Sequence, residues 1–382
     1  MLLKRAAFIA ALFSACTGCA SLHGTGTHQS GASPHRKQFL SKTYAITKLY
    51  QSMEGPWSAQ TLRLMPDSPP ELLWITRYDA QLVAEDGKTP MPQELMCHSN
   101  FDLLPTVHNA FFGQSKITIG RLFNLSEGQR SINLPDGFGL PVLSNEPLNL
   151  TTQVLNHNRA NPALHVRYKV TLTFVRDSDL RQPLKPLYST VATAAVPLNE
   201  AQGQTDAALA KEHDPSCFFG ANAPANIWFF HDKQGRKFSP HWVVPPGKQI
   251  TRNDTTDWLR LDFDTTIHYI SVHLHPFAES MELIDATEGR SLFKSYAQNA
   301  KNRIGIERVD FFSSKEGIPI YKDHRYEVIT TYNNSTKTDQ DSMAAMHLYL
   351  LDKEFDKKKL NPKAFIAPES FFPSELSRDA SK

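Results

Sequence analysis

The sequence predicts an all-β protein with two β-sandwich domains in tandem. Apolar side chains from Val166 to Phe174 alternate with polar ones from Arg167 to Thr173, which is typical of a half-buried antiparallel strand. Proline (25 residues) outnumbers glycine (18), and aromatic residues make up 10% of the chain. This composition favours short strands bounded by proline over a helical bundle.

The size and charge of the chain limit the function classes. A length of 382 residues with 40% hydrophobic content is sufficient for two domains with buried cores. Lys and Arg number 41 against 39 Asp and Glu, and without Lys4 and Arg5 the two signs balance at 39 each. A neutral chain without a basic run lacks the positive surface that nucleic acids require. Nucleic-acid binding is therefore excluded as an expected function.

Shifts in composition predict the domain boundaries. The stretch after the first twenty residues is rich in Ser, Gly, Thr and His, residues 199–214 are polar, and the chain beyond residue 352 is charged and then proline-rich. The predicted segments are a signal peptide with a lipobox (1–19), a flexible tether (20–40), a first β-sandwich domain (41–198), a second β-sandwich domain (216–352) and a polar tail (353–382).

The N-terminus indicates export. A basic pair at residues 4 and 5 precedes an apolar run over residues 6–15, which is too short to span a bilayer and typical of a signal-peptide core. Small residues precede Cys16 and Cys19, which resembles a bacterial lipobox, and Phe13 favours Cys16 as the lipidated residue. An ordinary Sec signal is the alternative. The expected location is the bacterial cell envelope, at the outer membrane or its periplasmic face, with a lipid anchor as the membrane contact.

Cys97 and Cys217 are the cysteines beyond this leader. In an oxidising compartment, one disulfide between them would join two distant segments. Two buried thiols are the alternative, and a thiolate metal site at Cys97 beside His98 is a third interpretation.

Several chemistries lack their sequence motifs. The chain has no Gly-x-Ser-x-Gly elbow, no Walker A sequence, no Gly-x-Gly-x-x-Gly and no His-Glu-x-x-His. Serine hydrolase, phosphate-loop and zincin interpretations are therefore unsupported.

A pair of histidines in the second half predicts a metal site. In a strand from Ile267 to His275, the apolar residues at even positions face one way, while His273 and His275 face the other. Two imidazoles at i and i+2 converge on one point, which suits a metal ion. His268 falls on the apolar face and is expected to be structural.

A second segment supplies a third ligand. In Asp341–Leu351, Met346 falls on an apolar stripe with two leucines and is expected in the core, whereas Met343 shares the opposite face with Ala345 and His347. A thioether is a soft ligand that selects copper, especially Cu(I), over zinc or calcium. Two histidines with one methionine therefore predict copper.

With these segments the chain resembles the copper type II, ascorbate-dependent monooxygenases, the family of peptidylglycine α-hydroxylating monooxygenase and dopamine β-monooxygenase. The motifs that carry the resemblance are Pro245-Pro246-Gly247, His273-Leu274-His275, Thr331-Tyr332-Asn333 and Asp341-Ser342-Met343. The resemblance implies two jelly-roll-like domains, each with one copper across a solvent-filled cleft, that couple O2 reduction to C–H hydroxylation. It also implies that His273, His275 and Met343 hold the O2-binding copper.

The likeness in the first half is patchier. The segment Leu134–Asn158 follows a family segment, but Leu155 stands where the family has a copper-ligating histidine. His157, two residues further on, would lie on the same strand face as Leu155 and is the candidate substitute ligand. Where the family has an adjacent His-His pair, this chain has only His98. His108 is the candidate helper ligand beside it. A site with so few imidazoles binds copper weakly, because ligand number sets affinity. The resemblance covers residues from about 90 to 352.

Two functions from different classes follow. The first is a lipid-anchored copper monooxygenase with His273, His275 and Met343 as its catalytic site, acting with O2 and ascorbate or another small reductant on a small-molecule or peptide-like substrate. The second is a non-catalytic copper-binding envelope lipoprotein that sequesters or delivers the metal. A β-sandwich interaction module with incidental histidines is the third alternative.

Overall fold

The computed structural model describes residues 33–52, 54–114, 120–198, 230–232, 234–364 and 375–378. The all-β prediction is confirmed. The strands are β1 His35–Leu40, β2 Tyr44–Ile46, β3 Trp57–Leu62, β4 Leu72–Val83, β5 Met96–Leu103, β6 Arg121–Leu125, β7 Ser131–Asn133, β8 Phe138–Leu143, β9 Leu148–Val154, β10 Leu164–Arg176, β11 Lys185–Thr193, β12 Val196–Pro197, β13 Phe230–His231, β14 Lys237–Ser239, β15 His241–Val244, β16 Gly247–Asp254, β17 Thr265–Leu274, β18 Ala278–Asp285, β19 Arg290–Asn299, β20 Ile306–Val309, β21 Phe312–Ile320, β22 Tyr326–Asn334, β23 Gln340–Leu351 and β24 Glu375–Arg378. The helices of this part of the chain are α1 Pro105–Phe112 and α2 Thr256–Leu259, with 3-10 turns at Gln93–Leu95, Asp177–Asp179 and Lys357–Lys359.

The strands form one large central sheet and smaller sheets that cover it. The central sheet has the order β1-β10-β4-β8-β11-β23-β17-β21, with β2, β7 and β15 paired alongside. A five-stranded sheet, β24-β3-β9-β5-β6, belongs to the first half, and another, β16-β22-β18-β19-β20, belongs to the second. A small sheet, β12-β14-β13, lies between the two halves in sequence.

One sheet runs through both halves of the chain. Strand β11 of the first half pairs antiparallel with β23 of the second, from Leu187 opposite Leu351 to Thr193 opposite Ala345. Strand β23 is buried along nearly its whole length, because sheets cover both of its faces. The exact domain boundaries stay a prediction, but the seam between the halves is hydrogen-bonded strand to strand.

The apolar cores follow the two faces of this seam. Met346, Leu348 and Leu350 lie in the core of the second half, as the strand alternation predicts. On the opposite face Tyr349 lies in the core of the first half, and its hydroxyl donates to the Leu122 carbonyl of β6 at 2.7 Å. The face of β23 that carries the odd-numbered residues therefore looks towards the first half.

The predicted tether ends in an ordered strand. Strand β1 pairs with β10 from His35 opposite Phe174 to Leu40 opposite Lys169, and the His35 ring stacks on that of Phe174 at 5.5 Å. The tether prediction is therefore wrong for residues 35–40. An edge strand exposes most of its side chains, so its composition is as polar as that of a linker.

The prediction that residues 353–382 form a polar tail is also wrong in part. The Phe355 ring packs edge-on against Trp74 at 5.4 Å, and Leu360 packs against the same small core. Strand β24 pairs with β3, from Glu375 opposite Gln60 to Arg378 opposite Trp57. A few apolar residues and backbone pairing hold this segment, and neither produces a strong compositional signal.

Some predictions fall on residues outside the described ranges. These are the signal peptide, the lipidation candidates Cys16 and Cys19, and Cys217, the proposed disulfide partner of the buried Cys97. Among the described residues, no helix has the length and apolar character needed to cross a membrane.

Candidate metal centre

A row of three potential ligands crosses the central sheet. His241 of β15 lies directly opposite Met343 of β23, and on the other side of β23 the His275 amide donates to the Met343 carbonyl at 3.2 Å. Residues directly opposite in antiparallel strands project from the same face. The side chains of His241, Met343 and His275 therefore stand side by side.

The next rows of the same face add two more histidines. His273 lies opposite Ala345, and His347 lies opposite Ser271. The small side chain of Ala345 leaves space between its neighbours. We call this group of His241, His273, His275, Met343 and His347 the histidine face. Its histidines are 5% or 6% exposed and Met343 is 8% exposed, so the group is shielded from bulk water.

The position of Met343 is fixed by a motif singled out in the sequence. The Tyr332 hydroxyl, from the Thr-Tyr-Asn segment of β22, donates to the Met343 carbonyl at 2.6 Å. Met346 points to the opposite side, into the core of the second half. Strand alternation thus places Met343 and not Met346 beside the histidine pair.

A single carboxylate faces two of the imidazoles. Asp341 Oδ2 lies 3.4 Å from His275 Nδ1, and Asp341 Oδ1 lies 3.8 Å from His241 Nδ1. A carboxylate beside Nδ1 favours the tautomer that presents Nε2 to a metal ion. Burial lowers the pKa of His275, but the hydrogen bond and charge of Asp341 outweigh it and hold that pKa above its usual value. Burial raises the pKa of Asp341, and the same two histidines bring it below its usual range.

The other histidines of the face are held neutral. Burial, followed by the proximity of His275 and His98, keeps the pKa of His273 well below its usual value. Burial, with the nearby Arg121 guanidinium, lowers the pKa of His347 to about 3. Neutral imidazoles are the form that binds metals, so these rings are ready to act as ligands.

Residues from the first half form the opposite wall. Cys97, Leu155 and His157 line a cavity of ≈ 370 Å³ together with His273 and His275. Cys97 and His157 of the first half and His273 and His275 of the second half therefore line one cavity. The resemblance implied something different, namely two copper sites that face each other across a solvent-filled cleft.

His98 lies near His273, whereas His108 lies apart from this group. His98 is 1% exposed on β5 and lies near enough to His273 to affect the pKa of His273. His108 lies in α1, where its Nδ1 is 2.8 Å from Glu146 Oε1 and its ring stacks on Phe112. It lines a separate cavity of ≈ 420 Å³. The structure therefore does not bring His108 to the histidine face, because this residue lies within helix α1 and is turned towards Glu146.

Buried polar atoms at the centre support a bound ion. His273 Nδ1, His347 Nδ1 and His157 Nε2 are buried without a hydrogen-bond partner. Buried polar atoms in folded proteins are nearly always satisfied by protein, water or an ion. Imidazoles with a thioether are the donor types that suit copper. No three His, Cys or Asp ligand atoms among the described residues of this centre lie within 4.8 Å of one another, so the side chains would have to move to hold one ion.

An acidic residue stands at the cavity wall. Burial raises the pKa of Glu127 to about 7, although Arg303 pairs with it and the Ile306 amide donates to its Oε2 at 3.0 Å. Glu127 lines the same cavity as His273. It is the carboxyl group of this wall that can exchange a proton near neutral pH.

The strand that carries the histidine pair ends in a strained turn. Phe277 has a φ of 71°, in the left-handed region that non-glycine residues rarely adopt. Its amide donates to Asn299 Oδ1 at 2.8 Å, and its carbonyl accepts the Asn333 amide at 2.8 Å. These two bonds hold the turn and so fix where His275 leaves the strand.

A second group of potential ligands is explained by local structure. Asp285, Glu288 and His324 have ligand atoms within 4.8 Å of one another. Asp285 Oδ1 accepts the amides of Thr287 and Glu288, and Asp285 Oδ2 lies 2.7 Å from His324 Nδ1. These bonds close the turn between β18 and β19, so we assign the group a structural role.

Sequence reasoning missed His241 and the role of Asp341. His241 received no role, since it lies about 30 residues before the histidine pair and only the pairing of β15 with β23 brings it to Met343. Asp341 enters the sequence prediction only as part of the Asp341-Ser342-Met343 motif. The local signal available for His241 was its place at the start of a short apolar strand, and that signal does not reveal the partner strand.

Comparisons with known proteins find no family model and no curated protein that matches the chain. Among solved structures, the STIV MCP has 10% identity and a TM-score of 0.29, over 84% of this chain and 97% of that one. PNGase F, a glycosylasparaginase from Flavobacterium meningosepticum, has 7% identity and a TM-score of 0.30, over 90% and 100%. The infectious bursal disease virus VP2 subviral particle has 7% identity and a TM-score of 0.20, over 88% and 76%. Likenesses at this level carry no argument about function.

Proposed function

We propose that this protein binds copper at the histidine face and uses it to activate O2, in the manner of a copper-dependent monooxygenase. The observation that carries the proposal is the row of His241, Met343 and His275 with His273 in the next row, all on one buried face above a cavity. Bound copper would supply the one-electron chemistry that O2 activation requires. A small reductant such as ascorbate is the expected electron source.

The chain itself prepares the site in three ways. Met343 provides a soft donor that favours Cu(I). Asp341 orients His275 and His241 through their Nδ1 atoms. The cavity opens beside His273 and His275, while burial of the ligands keeps bulk water away. Glu127 can take or give a proton at the cavity wall.

A second candidate function is copper binding without catalysis, by an envelope lipoprotein that sequesters or delivers the metal. The observation that favours it is the convergence of Cys97 and His157 on the cavity of His273 and His275. The resembled family needs a second, separate copper as electron donor, and the described residues offer no second histidine cluster for it.

The metal stoichiometry of purified protein separates these functions. The chain would be loaded with Cu(I), desalted and assayed for bound copper and for ascorbate-driven O2 uptake. Bound copper with O2 uptake supports the monooxygenase, and bound copper without uptake supports the binder. A His273→Ala, His275→Ala double variant is expected to lose the copper, while His165→Ala, which replaces an exposed histidine, keeps it. Equal copper in both variants would refute the site.

A further inference from the structure

A turn of the second half borders the cavity that His273 and His275 line. Residues 300–305 connect β19 to β20, and Ile304 and Gly305 of this turn belong to the cavity wall. We call these six residues the β19–β20 turn. His273 and His275 are each 5% exposed. The turn therefore forms part of the wall that shields the histidine pair from solvent.

The β19–β20 turn is tied to the first half through one exposed side chain. Asn158 Nδ2 donates to the Ile304 carbonyl at 2.9 Å, and the Ile304 amide donates to Asn158 Oδ1 at 2.9 Å. Asn158 lies at an exposed position of the loop between β9 and β10. Hydrogen bonds at the surface exchange readily with bonds to water, so this pair of bonds can break at a small cost in free energy.

A charged residue of the turn adds contacts to the same side of the first half. Arg303 Nε lies 3.4 Å from Glu94 Oε2, and Arg303 Nη1 pairs with Glu127, which lines the cavity. A Cβ atom on Gly305 would lie only 2.8 Å from both carboxylate oxygens of Glu127. Glycine therefore lets the turn lie close against this carboxylate, where a larger residue would push it away.

The strands on either side of the turn are held more firmly than the turn itself. Ile306 and Val309 of β20 lie in the core of the second half, and Phe293 of β19 packs against that core. The pairing of β19 with β20 shifts register between Gln298 and Asn299, directly before the turn. Because the contacts of Asn158 and Arg303 across the seam are polar, the turn can separate from the first half without unpacking the core.

We propose that the β19–β20 turn is a lid, and that its opening gives molecules from solvent access to the cavity beside the histidine pair. Opening breaks the bonds between Asn158 and Ile304 and the contacts of Arg303 with Glu94 and Glu127, while β20 stays in the core. Lids of this kind exclude water when closed and admit ligands when open. The inference concerns access alone and does not depend on the proposed copper chemistry.

Alkylation of Cys97 tests the lid, because this residue lines the same cavity and is 5% exposed. The reduced full chain would be treated with iodoacetamide under native conditions, and mass spectrometry of the peptide that contains Cys97 gives the alkylation rate. Asn158→Ala removes both hydrogen bonds to the turn and should raise this rate about 10-fold. Asn161→Ala, at an exposed position of the same loop, is the matched control and should leave the rate unchanged. Equal rates in Asn158→Ala and the natural chain would overturn the inference.

Urea distinguishes opening of the lid from unfolding of the whole chain. Local opening exposes little surface, so the alkylation rate of Cys97 should hardly change with urea below the unfolding transition. A rate that rises steeply with urea, in parallel with the unfolding equilibrium, would refute the lid. In that case Cys97 reacts only in the unfolded chain.

Hydrogen exchange of the natural chain covers an Asn158 variant that fails to fold. The Ile304 amide, which is bonded to Asn158, should exchange many times faster than the amides that join β17 to β23. Equal protection of the two groups would overturn the lid. A chain that shows a lid but binds no copper would refute the proposed function alone, so the two failures are distinguishable.

Discussion

Asp341 Oδ2 lies 3.4 Å from His275 Nδ1, while its other oxygen lies 3.8 Å from His241 Nδ1. One carboxylate thus orients two imidazoles that come from different strands. Its own strand places it two residues before Met343, which stands between those imidazoles. In the proposed copper site, the aspartate would therefore orient the histidine ligands.

Replacing the charge of Asp341 should weaken copper binding without unfolding the chain. Asp341→Asn keeps the shape of the side chain but loses the charge that holds both imidazoles in one tautomer. We expect copper affinity to fall about 10- to 100-fold, as measured by competition with a chromophoric chelator. Asp339→Asn, at an exposed position just before the same strand, is the matched control. Unchanged affinity in Asp341→Asn would contradict the orienting role.

The two methionines of β23 should behave differently. Met343→Ile removes the thioether from the histidine face and should weaken Cu(I) binding much more than Cu(II) binding. Met346→Ile changes only core packing in the second half and should cost less than about 1.5 kcal/mol of unfolding free energy, with unchanged copper affinity. Chelator competition for both oxidation states, together with urea unfolding, measures these effects. The reverse pattern would refute the alternation argument.

The protein without metal should lose stability as the pH falls. The pKa of His347 is about 3 in the folded chain against an ordinary 6.5, so the unfolded chain takes up the proton first. The resulting stability is complete above pH 6.5 and declines towards pH 3, with about 2 kcal/mol lost to this residue at pH 5. The buried His273, whose pKa is also lowered, adds to the decline.

Urea unfolding at pH 7 and pH 5 checks this. His347→Gln should reduce the difference between the two pH values by about 2 kcal/mol. His165→Gln, at an exposed position, should leave the difference unchanged. An unaltered pH dependence in His347→Gln would show that His347 is not held neutral by its surroundings.

A buried ion pair next to the histidine face should be costly to break. Arg121 Nε lies 2.5 Å from Asp102 Oδ1, and both residues are 1% exposed. Arg121→Met leaves the Asp102 carboxylate buried and alone, so we expect a loss of about 3–5 kcal/mol of unfolding free energy. The double variant Arg121→Met, Asp102→Leu should recover much of the loss in the same urea titration. An equal or larger loss in the double variant would contradict the electrostatic explanation.

The parts of this structure that depend on local pattern were predictable. Alternation along one strand placed Met343 with the histidine pair and Met346 in the core, since neighbouring side chains of a strand must face opposite ways. His268 was predicted to be structural, and its two ring nitrogens contact Thr266 Oγ1 and the Ser314 carbonyl. Each of these conclusions needs only the identity of a strand and its residues.

The parts that depend on pairing between distant strands were not predictable. His241 reaches Met343 because β15 adds to β23, and Cys97 lines one cavity with His275 because residues of both halves border it. Sheet order and strand register depend on the whole chain, whereas the composition of one segment indicates only how exposed that segment is. The same reason explains β1 and β24, whose backbones pair although their sequences are as polar as linkers.

The pairing of β11 with β23 has a consequence for the order in which the chain is made. Seven residue pairs join Leu187–Thr193 to Ala345–Leu351, and the ribosome completes the first segment long before the second. Until then β11 has an open edge, which is prone to pair with other chains. The first half therefore cannot reach its final form during synthesis, and its need for protection from aggregation lasts until residues 340–351 have emerged.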